Sequence, residues 1–153
     1  MNYRRFIVPT LVAAGLLTAA TIGVQQASAH HAFAAEFDGK APVLLKGKVT
    51  KVEWINPHAW VHVNVVGPDG KATEWMVEGG TPNTLLRAGI DRNSLKFGTD
   101  IVVRGYQSKD KACTPICKAN GRDVTFPDGR KLFMGSSGTG APKDGADPGD
   151  MPK

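Results

Sequence analysis

The sequence predicts an all-β fold with one short helix, arranged as a small OB-like antiparallel barrel. Three observations carry this reading. Residues 58–66 alternate, Ala59, Val61, Val63 and Val65 facing one way and His58, Trp60, His62 and Asn64 the other. Two tight-turn motifs, Gly67-Pro68-Asp69-Gly70 and Pro127-Asp128-Gly129, separate runs of strand-forming residues. A long first strand is interrupted by Gly47, and a glycine inside a strand marks a bulge or a sharp bend.

The elements follow in order. Val43 to Trp54 forms the first strand, with Val43, Leu45 and Val49 on one face and Lys46, Lys48 and Thr50 on the other. Asn56-Pro57 breaks the run. In the second strand Ala59, Val61, Val63 and Val65 face inward, while His58, Trp60, His62 and Asn64 face outward. Lys71 to Glu78 returns as a third strand, with Trp75 and Val77 opposite Glu74, Met76 and Glu78. Thr81-Pro82 starts a helix through a capping hydroxyl followed by a proline at the first helical position. Leu85 and Leu86 supply its buried side and Gly89 ends it. Asp100 to Tyr106 is a fourth strand, and Val124–Phe126 pairs with Lys131–Phe133 in a last hairpin. An OB-type barrel needs a bent first strand that belongs to both halves of its closed sheet. A small open sandwich would use the same strands; the barrel is the preferred reading.

Domain organisation follows from composition. Residues 1–29 read as a cleaved signal peptide: Arg4 and Arg5 form the charged start, Phe6 to Val24 the apolar stretch, and Ala27-Ser28-Ala29 the small-x-small cleavage pattern. Pro9, Gly15 and the absence of a basic stop-transfer flank argue against a retained anchor, so contact with the membrane is expected only during export. Arg4-Arg5 leaves both the general and the twin-arginine export routes open. The expected location is periplasmic or secreted. Residues 30–40 form an N-terminal leader, 41–134 the β-domain, and 135–153 a tail of Gly, Pro, Ser and Asp too polar to offset its ordering entropy.

Two of the 19 basic residues and none of the 14 acidic ones lie in the signal, so the mature chain carries 17 against 14, a net charge near +3. So mild a balance argues against a nucleic-acid partner, which would call for clustered Lys and Arg.

All four histidines lie between residues 30 and 62. Cleavage after Ala29 would leave His30 with a free α-amine beside its imidazole. An α-amine titrates at about 7.7–8.0, low enough to yield its proton to a metal near neutral pH. Copper is the cofactor this suggests, because nitrogen-rich sites favour Cu(II). His30, His31 and His58 are the candidate ligands. The competing reading makes His30 and His31 the start of a frayed leader. His58 and His62 share a strand face but stand roughly 13 Å apart at about 3.3 Å per residue, too far to chelate one ion. The bland role for His58 is a hydrogen bond to the turn after Asn56-Pro57; His62 reads equally as a solvated outward residue.

Trp60, grouped with His58, His62 and Asn64, marks an expected ligand face, since an OB-type barrel binds on its second and third strands. Of the three tryptophans at least one is expected in the core, and Trp60 is the candidate for exposure. Cys113 and Cys117 are expected to form a disulfide in an oxidising compartment, with a reduced thiolate site for Cu(I) as the alternative. Glu74 and Glu78 read as residues that keep the sheet face wet rather than as an acid–base pair.

The stretches His-His-Ala-Phe-Ala-Ala-Glu-Phe-Asp (30–38), Leu-Lys-Gly-Lys-Val-Thr-Lys-Val-Glu-Trp-Ile-Asn-Pro-His-Ala-Trp (45–60) and Pro-Asp-Gly-Arg-Lys-Leu-Phe (127–133) resemble a family of exported bacterial proteins catalogued only as a domain of unknown function. Asn56-Pro57-His58-Ala59-Trp60 is the most specific part. The resemblance implies a periplasmic or secreted β-domain and brings no activity, ligand or catalytic residue. Cys113–Cys117 lies outside its pattern. The expectation is therefore a non-catalytic exported binding or accessory protein. The alternative is an envelope module that binds another protein, with no metal site.

Overall fold

A computed structural model describes residues 30–135. The expected signal, residues 1–29, and residues 136–153 of the expected tail lie outside the described residues. The element order is α1 (His30–Glu36), β1 (Phe37–Glu53), β2 (Trp60–Val66), β3 (Ala72–Glu78), α2 (Pro82–Arg87), β4 (Asp100–Ser108), β5 (Cys117–Thr125) and β6 (Lys131–Phe133).

The sheet runs β3-β2-β1-β4-β5-β6, and a further β3–β5 pairing joins it into a ring of hydrogen-bonded strands. All pairings are antiparallel except β3–β5, which is parallel. This one seam departs from the expected all-antiparallel arrangement. After β3 the chain crosses the end of the ring through α2 and adds β4 first, so β5 reaches β3 in the same direction. The fold is all-β with two short helices, α1 being additional to the one expected.

β1 belongs to both halves. Gly47 pairs with Val65 of β2 and with Ile101 of β4, and Lys48 with Asn64 and Asp100. The expected irregularity at Gly47 takes a different form: the β1–β2 register shifts between Val49 and Lys51 instead. Gly47 is needed for close approach, because a Cβ there would stand 2.1 Å from the Asn64 carbonyl oxygen. β1 also begins six residues before the expected Val43, so residues 37–40 of the expected leader are strand.

The core fills the ring. Leu45, Val49, Val61, Val63, Val77, Val103 and Val124 point inward, and Leu85, Ile90 and Leu95 close one end from the β3–β4 connection. α2 is capped as the sequence predicts: Thr81 Oγ1 accepts from Thr84 N at 3.1 Å and Pro82 occupies the first turn. Gly89, at φ 85°, ends it. Leu85 is buried but Leu86 is 53% exposed, so only one of the two expected leucines serves the core. A helix of six residues has room for one inward position at this contact. Both turns form, with Gly70 and Gly129 at φ 76° and 82°.

A satellite cluster fastens α1. Phe33 packs on Phe37 and meets Tyr106 edge-on, with ring centroids 5.8 and 5.5 Å apart.

Candidate functional site

The β2 row that the sequence assigns outward lies on one face with neighbours from three other strands. Trp60 is opposite Glu53 of β1 and Glu78 of β3, His62 opposite Lys51 and Met76, and Asn64 opposite Lys48 and Glu74. Through the parallel seam, Lys118 and Asn120 of β5 lie beside Met76 and Glu78. Long polar side chains therefore crowd this face from both flanks.

At one end His58 Nδ1 lies 3.3 Å from Glu78 Oε2. Asn120 Nδ2 donates to Glu78 Oε1 at 3.1 Å. Glu78 and Asn120 are buried, and His58 is about a quarter exposed. Burial pushes the Glu78 carboxyl above its ordinary range; the facing His58 charge opposes this and the Glu36 charge adds to it. The loop bearing His58 is pinned by Ala59 N to Gly80 O at 3.0 Å and Gly79 N to Ala59 O at 2.8 Å. Glu78 is thus an internal brace, where the sequence reading had it wetting the surface. The parallel seam explains this, since it sets Asn120 directly beside it.

In the middle, His62 is 6% exposed although it belongs to the outward row. Its Nε2 lies 3.0 Å from Glu53 Oε1 and its Nδ1 3.8 Å from Glu74 Oε1. The Thr50 hydroxyl donates to Glu74, and Lys51 Nζ reaches Glu53 at 2.7 Å. The Lys51 hydrogen bond, then that of His62, holds the Glu53 carboxyl below its usual range. Strand periodicity gives the direction of a side chain but not what its lateral neighbours lay over it.

Trp60 lies between these two groups, partly buried, with Lys118 Nζ 5.4 Å from its ring centroid. Lys118 also pairs with Glu36 at the end of α1, which brings the N-terminal helix to this face. Trp54 and Trp75 pack against the core.

At the other end Asn64 opens onto a cleft of about 450 Å³ lined by Lys46, Lys48, Thr50, Val66, Ala72 and Phe97. The Asn64 Oδ1 atom is buried without a hydrogen-bond donor. Phe97 is 83% exposed and Val66 64%. Lys48 is neutralised by Asp100, with both carboxylate oxygens within 2.8 Å. The sequence reading missed Phe97 and Lys46 here. An aromatic ring in the polar stretch Lys96-Phe97-Gly98 was the available signal, but no periodicity ties that loop to β2.

His58 and His62 are held by separate carboxylates. Among the described residues no group of three or more His, Cys, Asp or Glu is placed to hold a metal ion. The side chains of His30 and His31 lie outside the described residues. Cys113 and Cys117 form a disulfide, with Cα atoms 3.9 Å apart, at the entry to β5.

These features define a small β-ring protein with one braced polar face. Residues 18–116 match the family of unknown function DUF6152, and the chain belongs to that family. No curated protein and no solved structure matches it.

Proposed function

We propose that this is an exported, non-catalytic binding or accessory protein that works from the face of His58, Trp60, His62 and Asn64. One observation carries the reading: His58, Trp60 and His62 of that face are fixed in advance by buried or half-buried partners. Glu78 and Asn120 brace His58, Glu53 and Glu74 brace His62, and Lys118 covers Trp60. A surface organised before its ligand arrives loses less entropy on binding.

The same reading includes a Cu(II) site at the mature terminus. Cleavage after Ala29 gives His30 two nitrogen donors, and His31 or His58 supplies more. Support comes from α1. Its last residue, Glu36, pairs with Lys118 on the face, and His30 lies six helical steps, about 9 Å, from Glu36. The N-terminal helix is thereby tied to the His58 end of the sheet.

Intact and native mass measurement of the exported protein tests both parts. The expected result is a chain that begins at His30 and takes up Cu(II) in near-stoichiometric amount. A variant with one glycine added before His30 should lose most of that affinity. A different mature start, or equal affinity in the extended variant, removes the copper site.

A further inference from the structure

We infer that the cleft at the Asn64 end of the face binds a single-chain amphipathic anion, its apolar body on Phe97, Val66 and Ala72 and its head group at Lys46. This rests on the reading of the outer face as a binding surface and names the ligand class for one end of it.

The first argument is shape. A volume of about 450 Å³ falls within the range of small-molecule sites, roughly 300–1,000 Å³. A second hollow of about 320 Å³, bounded by Phe126 and Pro127, shares Lys46, Gly47 and Asp100 with it. Lys46 therefore sits where the two meet, reachable from either side.

The second is apolar exposure. Phe97 is the most exposed large hydrophobic side chain among the described residues, and Val66 follows it. Both line the same cleft. Scattered exposed apolar residues are ordinary, whereas two that converge on one concavity mark a place where apolar surface is to be covered.

The third is charge. Three charged side chains border the cleft: Lys46, Lys48 and Asp100. Asp100 is occupied by Lys48 at 2.7 Å. Lys46 is exposed and has no ion pair among the described residues, so the cleft presents one uncompensated cation. A ligand with one negative head and one apolar chain complements both halves. A cationic amphiphile would meet Lys46 unfavourably, and a neutral one would leave it unused. A single cation is also too little for an anionic bilayer, where attraction grows with each added basic residue.

Calorimetry of the mature chain with decanoate below its micelle concentration tests the assignment. Decanoate is expected to bind at one site, with decanol and decylammonium each weaker by about tenfold or more. Phe97→Ser and Lys46→Glu should each weaken decanoate by a similar factor. Both residues are exposed, so the variants should keep the wild-type circular dichroism and melting temperature. No decanoate binding, equal binding of decylammonium, or unchanged affinity in both variants overturns the assignment. Binding to phosphatidylglycerol vesicles without binding to decanoate overturns it as well. Leu86→Ser, at an exposed apolar residue of α2 that does not line the cleft, should leave decanoate affinity unchanged. Failure of the cleft is therefore separable from failure of the copper site, which is read in the metal titration alone.

Discussion

Glu78 shows how a single residue can change role between sequence and structure. Its position in β3 is outward by alternation, yet it is buried between His58 and Asn120. Its carboxyl titrates above the ordinary glutamate range, so the folded state holds that proton at pH values where the unfolded chain has released it. Stability must then fall as pH rises from the ordinary value through the raised one. Glu78→Gln keeps an acceptor for Asn120 and removes this titration. The unfolding free energy of wild type minus that of Glu78→Gln, from urea titrations across pH 4 to 7, should decline with rising pH. A difference that grows with pH would contradict the burial argument. Of the outward row, the direction of Trp60, His62 and Asn64 was readable in the alternation of residues 58–66. The carboxylates that brace the histidines, Glu53 and Glu74 at His62 and Glu78 at His58, were not, because they come from other strands.

At the level of elements, local chemistry and long-range contact divide the work. α2 and the two turns were legible because their determinants are neighbours in sequence: Thr81 caps its own helix, and Gly70 and Gly129 each take a positive φ within their own turn. β1 is different. Its length and its share in both halves depend on strands that pair with it far along the chain. Gly47 meets this demand, since the Asn64 backbone lies where a Cβ would go. Gly47 cannot yield without disturbing both the β1–β2 and β1–β4 pairings, nor Asn64 without disturbing β1–β2 and β2–β3. Gly47→Ala should therefore cost about 1–3 kcal/mol, the range of overpacking a tight site. Chemical denaturation would measure it, and a loss below a few tenths would show that β1 can move aside. β5 was the element least visible in sequence. Its run Cys117-Lys118-Ala119-Asn120-Gly121-Arg122-Asp123 lacks the β-branched residues that announce a strand. Pairing on both sides, with β3 and β4, holds it extended.

For the molecule as a whole, closure is what matters. The family match ends at residue 116, one residue before β5, yet β5 supplies the seam that turns an open sheet into a ring. Without it Val77 and Val103 would face solvent along two unpaired strand edges, an arrangement prone to association. A chain of residues 30–116 should show no cooperative urea transition, whereas residues 30–153 should unfold in one. Cooperative unfolding of the shorter chain would mean that the first four strands form a core unaided.

Alternation, turn motifs and a helix cap were enough to specify an all-β chain, most of its strand positions and the face shared by His58 and His62. Each of those depends on side chains a few residues apart, and so is written in short stretches of sequence. Which carboxylate braces which imidazole, why Glu78 is buried, where Phe97 and Lys46 meet Asn64, and that one seam runs parallel were settled by folding. Those contacts join residues on different strands and loops, nine or more positions apart, and the closure of the ring is what selects them.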